Sequence, residues 1–317
     1  MYNIGIDLGG TNIKVGVVDD SYSIIGKSNI KTNLPRPSDE IAESIVEGVK
    51  QACEAAGISV SEVNSIGIGT PGVANRNTGV VLHSSNLGFE NFPLGKILSD
   101  KLGTHVFIEN DANAAAFGEV VNGAGKGYKN VVVITLGTGV GGGIIIDGKI
   151  YTGFNFCGGE VGHTVIEYNG RQCSCGRKGC FEAYSSATAL INFTKEAMEK
   201  DKDTKMWELA GGKLENVDGK TAFDGFRAGD KTAKQVVDTY INYLGCGLTN
   251  MVNIFQPELL LIGGGICKEG KNLTDPLLKY ITDECYCIDP KSSTKLDICK
   301  LGNDAGIIGA AYLYTLK

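Results

Sequence analysis

Two glycine-rich segments of the sequence look like copies of one β-hairpin, and this repetition limits the possible folds more than any other feature. The first copy covers residues 3–19 and the second covers residues 131–147, so that Gly9 and Gly137 are equivalent positions 128 residues apart. In each copy an apolar strand leads through a Gly/Thr turn into a second apolar strand. The sequence therefore predicts a duplicated fold. Chance similarity between two glycine-rich hairpins is the alternative interpretation.

The segments between and after the hairpins alternate between helical and strand patterns. Helices are predicted over residues 38–56, 94–102, 112–120, 185–198, 231–255 and 305–314, and further strands over residues 63–68, 106–108 and 259–262. A chain of 317 residues is long enough for two cores. No low-complexity linker divides it, which favours two α/β domains with a cleft crossed by continuous elements.

The overall charge and the arrangement of apolar residues exclude some classes of partner. A net charge of −6 argues against a broad nucleic-acid or anionic membrane surface. Neither a basic leader after Met1 nor an apolar run of membrane-spanning length is present, so we expect a cytoplasmic protein. The ten cysteines are then expected to be reduced thiols or metal ligands instead of disulfides.

The turns of the two hairpins have the composition of phosphate-binding loops. Asp7 ends a buried strand just before a turn whose backbone N–H groups can face an anion, an arrangement suited to metal-bound phosphate. A hairpin whose Asp caps its own turn is the alternative for a single copy. Two such turns can hold one phosphate chain between them, and their candidate residues are Gly9, Gly10, Thr11, Gly137, Thr138 and Gly139.

Asn110 and Asp111 stand between a strand and an alanine-rich helix. An Asp at such a position is commonly the N-cap of the helix. The same position also suits a general base, because the helix N-terminus favours an ionised carboxylate that can accept a proton from an attacking hydroxyl. Both interpretations of Asp111 remain open at this point.

The spacing of one histidine and three cysteines is the most specific local pattern. One imidazole and three thiolates fill a tetrahedral zinc shell, and the four candidates are His163, Cys173, Cys175 and Cys180. A loop of reduced thiols without metal is the alternative. Four protein ligands leave no open position, so the predicted zinc is structural. The knuckle formed by these residues is flanked by Glu160 and Glu182 and can orient both carboxylates.

Taken together, these motifs resemble the ROK family of repressors, uncharacterised reading frames and sugar kinases, and in particular its bacterial glucokinase branch. The resemblance covers nearly the whole chain. It rests on an ordered series of motifs at residues 7–11, 70–72, 86–88, 109–114, 136–143, 159–163 and 173–182. The order and number of these motifs make the resemblance much more specific than any one of them.

The resemblance implies an actin-like (ribonuclease H-like) two-domain sugar kinase fold with a duplicated core and an interdomain cleft. We expect a smaller N-terminal α/β domain of residues 1–118 plus about 302–317. A larger C-terminal α/β domain of residues 119–301 would carry the zinc knuckle. The implied reaction is ATP-dependent phosphorylation of a hexose, with the 6-hydroxyl of glucose as the leading acceptor, and the implied assembly is a homodimer or homotetramer.

The resemblance also implies roles for individual residues. Asp111 would be the catalytic base, and His163 would present one ring nitrogen to zinc and the other to the sugar. The implied sugar contacts are Asn86, Asn110, Asp111, Glu160, His163 and Glu182. The implied contacts to ATP and its Mg2+ are Asp7, Gly9, Gly10, Thr11, Lys14, Gly137, Thr138, Gly139, Gly264 and Gly265. Because the two phosphate turns lie on elements separate from the knuckle, loss of structural Zn2+ is expected to weaken sugar binding before ATP binding.

Three other functions remain as alternatives. Residues 155–159 depart from the smaller residues common in the family, so N-acetylmannosamine or another hexose can be the acceptor. A sugar-responsive DNA-binding repressor is disfavoured, because the first strand begins at residue 2 and the charge is acidic. A sugar sensor without activity is disfavoured by the presence of Asp111 and both Gly/Thr turns.

Overall fold

The computed structural model describes residues 1–286 and 293–316, and their contacts form two compact units. The first unit comprises Met1–Val131, Gly143–Gly159 and Cys299–Lys317, and the second comprises Val132–Gly142 and Glu160–Ile298. This division differs from the expected domain limits chiefly in assigning 119–131 and 143–159 to the first unit. In the described ranges, no helix combines the length and the apolar character that a bilayer crossing requires.

The first unit contains a five-stranded sheet with the strand order β3-β2-β1-β4-β8. These strands are β1 (Tyr2–Leu8), β2 (Asn12–Val18), β3 (Ile24–Lys31), β4 (Val63–Thr70) and β8 (Val106–Asn110). The first three form an antiparallel meander, whereas β4 lies parallel to both β1 and β8. The predicted strand at 106–108 thus continues for two more residues, to Asn110.

A small antiparallel sheet that the sequence patterns did not predict also belongs to the first unit. It consists of β5 (Val73–Asn75), β6 (Val80–Ser84) and β7 (Phe89–Phe92). These strands have only three to five residues and mix polar with apolar side chains. Such short, irregular segments carry little periodic signal.

The described part of the first unit also contains the α-helices α1 (Ser38–Ala56), α2 (Leu94–Leu102), α3 (Asp111–Asn122) and α10 (Ala305–Ala311). The bounds of α1 and α2 are those predicted, and Gly57 ends α1 with a left-handed φ of 70°. The predicted final helix is shorter, because 3₁₀ structure replaces it at Leu313–Leu316.

Helix α10 packs directly against the backbone of the central strands. A Cβ atom added to Gly5 would lie 1.8 Å from the carbonyl oxygen of Ile307, and one added to Gly67 would lie 1.8 Å from that of Ala310. Any side chain at these two positions of β1 and β4 would therefore displace the helix. Ile307 and Ile308 are buried at this contact.

The second sheet has the order β11-β10-β9-β12-β13. Its strands are β9 (Val131–Leu136), β10 (Val140–Ile146), β11 (Lys149–Ile150), β12 (Leu259–Gly263) and β13 (Lys295–Ile298). Numbered by chain order within each sheet, both sheets have the order 3-2-1-4-5. This equivalence agrees with the duplication predicted from the two hairpins.

Among the described residues, the second unit contains the α-helices α4 (Glu182–Ser185), α5 (Ala187–Lys200), α6 (Met206–Leu209), α7 (Thr221–Arg227), α8 (Lys231–Phe255) and α9 (Lys271–Glu284). The 25-residue α8 has its predicted bounds. The helix predicted over residues 185–198 begins two residues later, at Ala187, because the Ser186 side chain accepts a hydrogen bond from the Ala189 N–H and caps α5.

Candidate active site

Three parallel strands of the first sheet end at one edge, and two candidate carboxylates lie there. In register, Asp7 of β1 is paired with Gly69 of β4, which is paired with Glu109 of β8. Asp7 and the end of β8 are therefore two strands apart, which corresponds to roughly 10 Å. Asp111 follows β8 immediately. The carboxyl edge of parallel strands is the usual ligand-binding edge of open α/β sheets.

Asn110, and not Asp111, is the N-cap of α3. The Asn110 Oδ1 atom accepts hydrogen bonds from the N–H groups of Ala112 at 2.9 Å and Asn113 at 3.2 Å. Its Nδ2 atom donates to the Gly72 carbonyl at 3.1 Å. The interpretation of Asp111 as the cap is therefore wrong. Asp111 is the first residue of the helix and is partly exposed, where the positive end of the helix favours its negative charge.

Hydrogen bonds to Gly9 hold the base of the first Gly/Thr turn, and the tip of the turn is exposed. Gly9 donates its N–H to the Asn12 carbonyl at 2.9 Å, and the Thr32 hydroxyl donates to the Gly9 carbonyl at 2.7 Å. Gly10 and Thr11 are exposed. Next to this turn, Lys14 Nζ donates to Asp7 Oδ2 at 3.1 Å, so two predicted phosphate-site residues form an ion pair. Asn86 is exposed in the connection between β6 and β7.

The second Gly/Thr turn is held by the start of α5. The Ala187 N–H donates to the Gly137 carbonyl at 2.9 Å, and the Thr188 hydroxyl donates to the Thr138 carbonyl at 2.9 Å. Behind the turn, Gly264 has a φ of 110°, and a Cβ there would lie 2.0 Å from the carbonyl oxygen of Leu136. Gly264 is thus required by both its backbone conformation and its close approach to β9.

Glu182 joins the second turn to the cysteine-rich loop. Its Oε2 atom accepts a hydrogen bond from the Val140 N–H at 3.0 Å, and its Oε1 atom accepts one from the Ser174 hydroxyl at 3.1 Å. A Cβ on Gly139 would lie 2.3 Å from Glu182 Oε2. A carboxylate has about four acceptor positions, so Glu182 retains capacity for a further donor. The turn around Thr138 and the knuckle lie on separate elements, as expected, but Glu182 connects them by hydrogen bonds.

The turn that contains His163 also packs against this hairpin. Residues Val161–His163 form a 3₁₀ turn that follows the exposed Glu160. A Cβ on Gly162 would lie 2.1 Å from the Val140 carbonyl oxygen. In the second unit, Glu182 and the His163 turn thus both contact the first residue of β10.

The four predicted zinc ligands come together. The Nδ1 atom of His163 lies 3.8 Å from the Cys173 Sγ atom, and the Sγ atoms of Cys175 and Cys180 are 3.7 Å apart. All four ligand atoms lie within 4.8 Å of one another. A tetrahedron with Zn–S bonds of about 2.3 Å has sulfur–sulfur edges of about 3.8 Å. The arrangement is therefore compatible with a tetrahedral zinc ion.

The thiols of this cluster differ in how easily they ionise. Burial raises the pKa of the Cys180 thiol to about 12. A hydrogen bond from the Arg177 backbone lowers the pKa of the exposed Cys175 thiol. A metal ion must displace both protons to bind, so cation binding at this cluster weakens as the pH falls.

Two functional candidates were not recognised in the sequence. Arg76 follows β5, and its guanidinium group forms an ion pair with Glu109, the residue before the Asn110 cap. The Glu109 side chain is only 2% exposed. The sequence signal for this pair is a glutamate at the end of the apolar strand at 106–108. A charged group buried there requires a partner of opposite charge.

Comparisons with known proteins agree with this geometry. The family model described as "ROK family" matches residues 3–317. A glucokinase of Thermotoga maritima is 38% identical over 310 residues, which cover 97% of this chain and 95% of the relative. A glucokinase of Halalkalibacterium halodurans is 37% identical, covering 98% of this chain and 94% of the relative.

A solved structure of the same family has a similar fold. The ROK family glucokinase from Streptomyces griseus, in complex with glucose and AMPPNP, matches with a TM-score of 0.79 and 33% identity, covering 99% of both chains. Its fold is the actin-like sugar kinase fold expected from the motifs. With a family model that spans almost every residue, this chain belongs to the ROK family.

Proposed function

We propose that this chain is an ATP-dependent glucokinase that transfers the γ-phosphoryl group of ATP to the 6-hydroxyl of glucose. The observation that carries this proposal is the position of Asp111 at the carboxyl edge of the first sheet, in the first turn of a helix whose N-cap is Asn110. The glucokinase relatives and the glucose- and AMPPNP-bound structure support the same reaction.

In the first unit, the proposed reaction needs a base and a phosphate-binding turn. Asp111 would accept the proton of the sugar hydroxyl as it attacks the phosphorus atom. The exposed N–H groups of Gly10 and Thr11 would bind phosphate oxygens, and Asp7 would hold magnesium. When bound, magnesium neutralises charge on the phosphate oxygens. Phosphoryl transfer has a loose transition state, so positioning and charge neutralisation supply most of the catalysis.

In the second unit, the proposed roles divide between nucleotide and sugar. The turn at Gly137–Gly139 would bind phosphate oxygens, and Gly264 and Gly265 would lie beside the adenosine. Glu160, His163 and Glu182 would bind sugar hydroxyls. In the first unit, the residues proposed to contact sugar are Asn86 and Asn110.

We also propose that the knuckle holds a structural zinc ion. His163 Nδ1 is the ring nitrogen beside Cys173, so it is the proposed ligand, and Nε2 remains to hydrogen-bond a sugar hydroxyl. When bound, zinc fixes the orientation and the tautomer of this imidazole.

Metal analysis of the purified protein is expected to find about one zinc ion per chain, because three thiolates and one imidazole form a closed tetrahedral site. Inductively coupled plasma mass spectrometry measures this ratio directly. Cys175→Ser protein, which lacks one ligand, serves as the control and should contain clearly less zinc. Active wild-type protein without zinc would contradict the proposal.

The reaction itself is tested by ADP formation with a panel of hexoses that includes glucose, mannose and N-acetylmannosamine. Glucose is expected to be the preferred acceptor, with a kcat of roughly 1–100 s⁻¹. The product should carry its phosphate on the 6-oxygen, as phosphorus NMR can show. Glucose binding without ADP formation would identify a sensor instead. A preference for N-acetylmannosamine would identify an N-acetylmannosamine kinase of the same family.

A further inference from the structure

We propose that Arg76 and Glu109 are positioning residues that fix Asp111 and Asn110 for phosphoryl transfer, and this inference rests on the proposed function. The two side chains form a largely buried ion pair beneath the end of β8, directly before the proposed base. Neither residue is one of the proposed sugar, nucleotide or metal contacts. Their role follows from the hydrogen bonds that the Glu109 carboxylate accepts.

Every acceptor position of the Glu109 carboxylate is used. Oε2 accepts from Arg76 Nε at 2.9 Å and also from Arg76 Nη2. Oε1 accepts from the Asn110 backbone N–H at 3.0 Å and from Asn113 Nδ2 at 3.0 Å. Four donors match the approximate capacity of one carboxylate. The group is thus completely satisfied although its side chain is only 2% exposed.

These bonds define the geometry of the turn that leads into α3. Glu109 holds Asn110 through its backbone and Asn113 through its side chain, so the two residues on either side of Asp111 and Ala112 share one anchor. Asn110 in turn caps the helix through Ala112 and Asn113. A shift of the Glu109 carboxylate would therefore move the first turn of α3 and change the direction of Asp111.

Arg76 provides the positive charge that pairs with this buried carboxylate. Within the described residues, Arg76 is the residue that forms an ion pair with Glu109. Arg76 lies in the connection between β5 and β6. The small three-stranded sheet therefore positions the guanidinium group at the end of β8. A buried carboxylate that loses its partner either moves toward water or takes up a proton.

A cavity beside the pair makes chemical rescue possible. It has a volume of about 230 Å³ and is lined by Arg76, Glu109, Leu313 and Leu316 among others. Shortening Arg76 to alanine would enlarge this space by the volume of a guanidinium group and two methylene groups. A small guanidinium ion supplied in the buffer can then enter and pair with Glu109.

The test compares Arg76→Ala, Arg76→Lys and Glu109→Gln with the wild-type enzyme. In Arg76→Ala, kcat with glucose is expected to fall by about 10²-fold, the effect of misplacing a reacting group by about 1 Å, whereas the KM for glucose changes less. Guanidinium chloride at low millimolar concentration should restore at least part of kcat. Arg76→Lys keeps the charge but loses one of the two hydrogen bonds to Glu109. Its kcat should lie between those of Arg76→Ala and the wild type. Glu109→Gln should lose kcat without rescue.

Arg36→Ala is the matched control, because Arg36 lies in the same unit but bonds to the Ser44 hydroxyl, and its kcat should not respond to guanidinium. Hydrogen exchange at the Ala112 and Asn113 amides should accelerate in Arg76→Ala and slow again with guanidinium, a measurement that needs no turnover. Unchanged kcat, or a loss of kcat with unchanged exchange and no rescue, would overturn the inference. A wild-type enzyme inactive toward hexoses would instead overturn the proposed function, while the exchange result would still test the anchoring.

Discussion

Replacing Asp111 by asparagine is expected to lower kcat by about 10²–10⁴-fold, the usual contribution of a general base, while the Kd for glucose changes little. The substitution removes the proton acceptor but keeps the shape of the side chain and an oxygen atom. Helix α3 should stay intact, because Asn110 caps it. Steady-state kinetics combined with glucose titration by calorimetry separates turnover from binding.

Asp39→Asn is a suitable control for this experiment. Asp39 also lies in the first turn of a helix, α1, so its substitution removes a comparable charge from a helix N-terminus without touching the proposed site. Its kcat should match the wild type. If Asp111→Asn showed a normal kcat, Asp111 would not be the base, and the carboxyl edge of the first sheet would need another proton acceptor.

Breaking the knuckle with Cys175→Ser is expected to raise the KM for both glucose and ATP and to lower kcat/KM for glucose by about 10–100-fold, the usual cost of losing groups that orient a site. Cys175 is exposed, so serine there should fit more easily than at the buried Cys180. The effect on ATP follows from Glu182, which bonds to Ser174 of the knuckle and to the Val140 N–H beside the phosphate turn.

Three measurements define this outcome: the KM for glucose, the KM for ATP and the melting temperature, all taken where the variant remains folded. Cys246→Ser, a substitution outside the knuckle on α8, should leave both KM values unchanged. A rise in the glucose KM alone would show that Glu182 does not transmit the damage to the turn. An unchanged glucose KM in a folded, zinc-free variant would remove His163 from the sugar contacts.

Regular elements with a clear hydrophobic period were predictable from the sequence. Helices α1 and α8 have the predicted bounds because their apolar residues recur at helical spacing over 19 and 25 residues. The two hairpins were predictable because a repeated pattern reports the same structure twice. The strands β5 to β7 were missed, since three to five residues do not establish a period.

The sequence predicts candidate residues for the site but not the contacts between them. Spacing alone identified the four knuckle residues, because tetrahedral zinc restricts how far apart its ligands lie in sequence. In contrast, the choice between Asn110 and Asp111 as the cap depends on which side chain also reaches the Asn113 N–H, because both accept a hydrogen bond from the Ala112 N–H. The bond between Glu182 and Val140 joins residues 42 positions apart, and no local pattern predicts it.

The close packing of α10 on Gly5 and Gly67 has a consequence for the timing of folding during synthesis. The ribosome makes the last helix about 240 residues after β4, which at roughly 5–20 residues per second is a delay of roughly 10–50 s. Throughout that interval, the face of β1 and β4 that α10 will cover remains without its partner. The first unit therefore cannot reach its final packing before the second has been synthesised, although its own strands leave the ribosome first. A nascent chain stalled before Ala305 should expose this apolar face to chaperones.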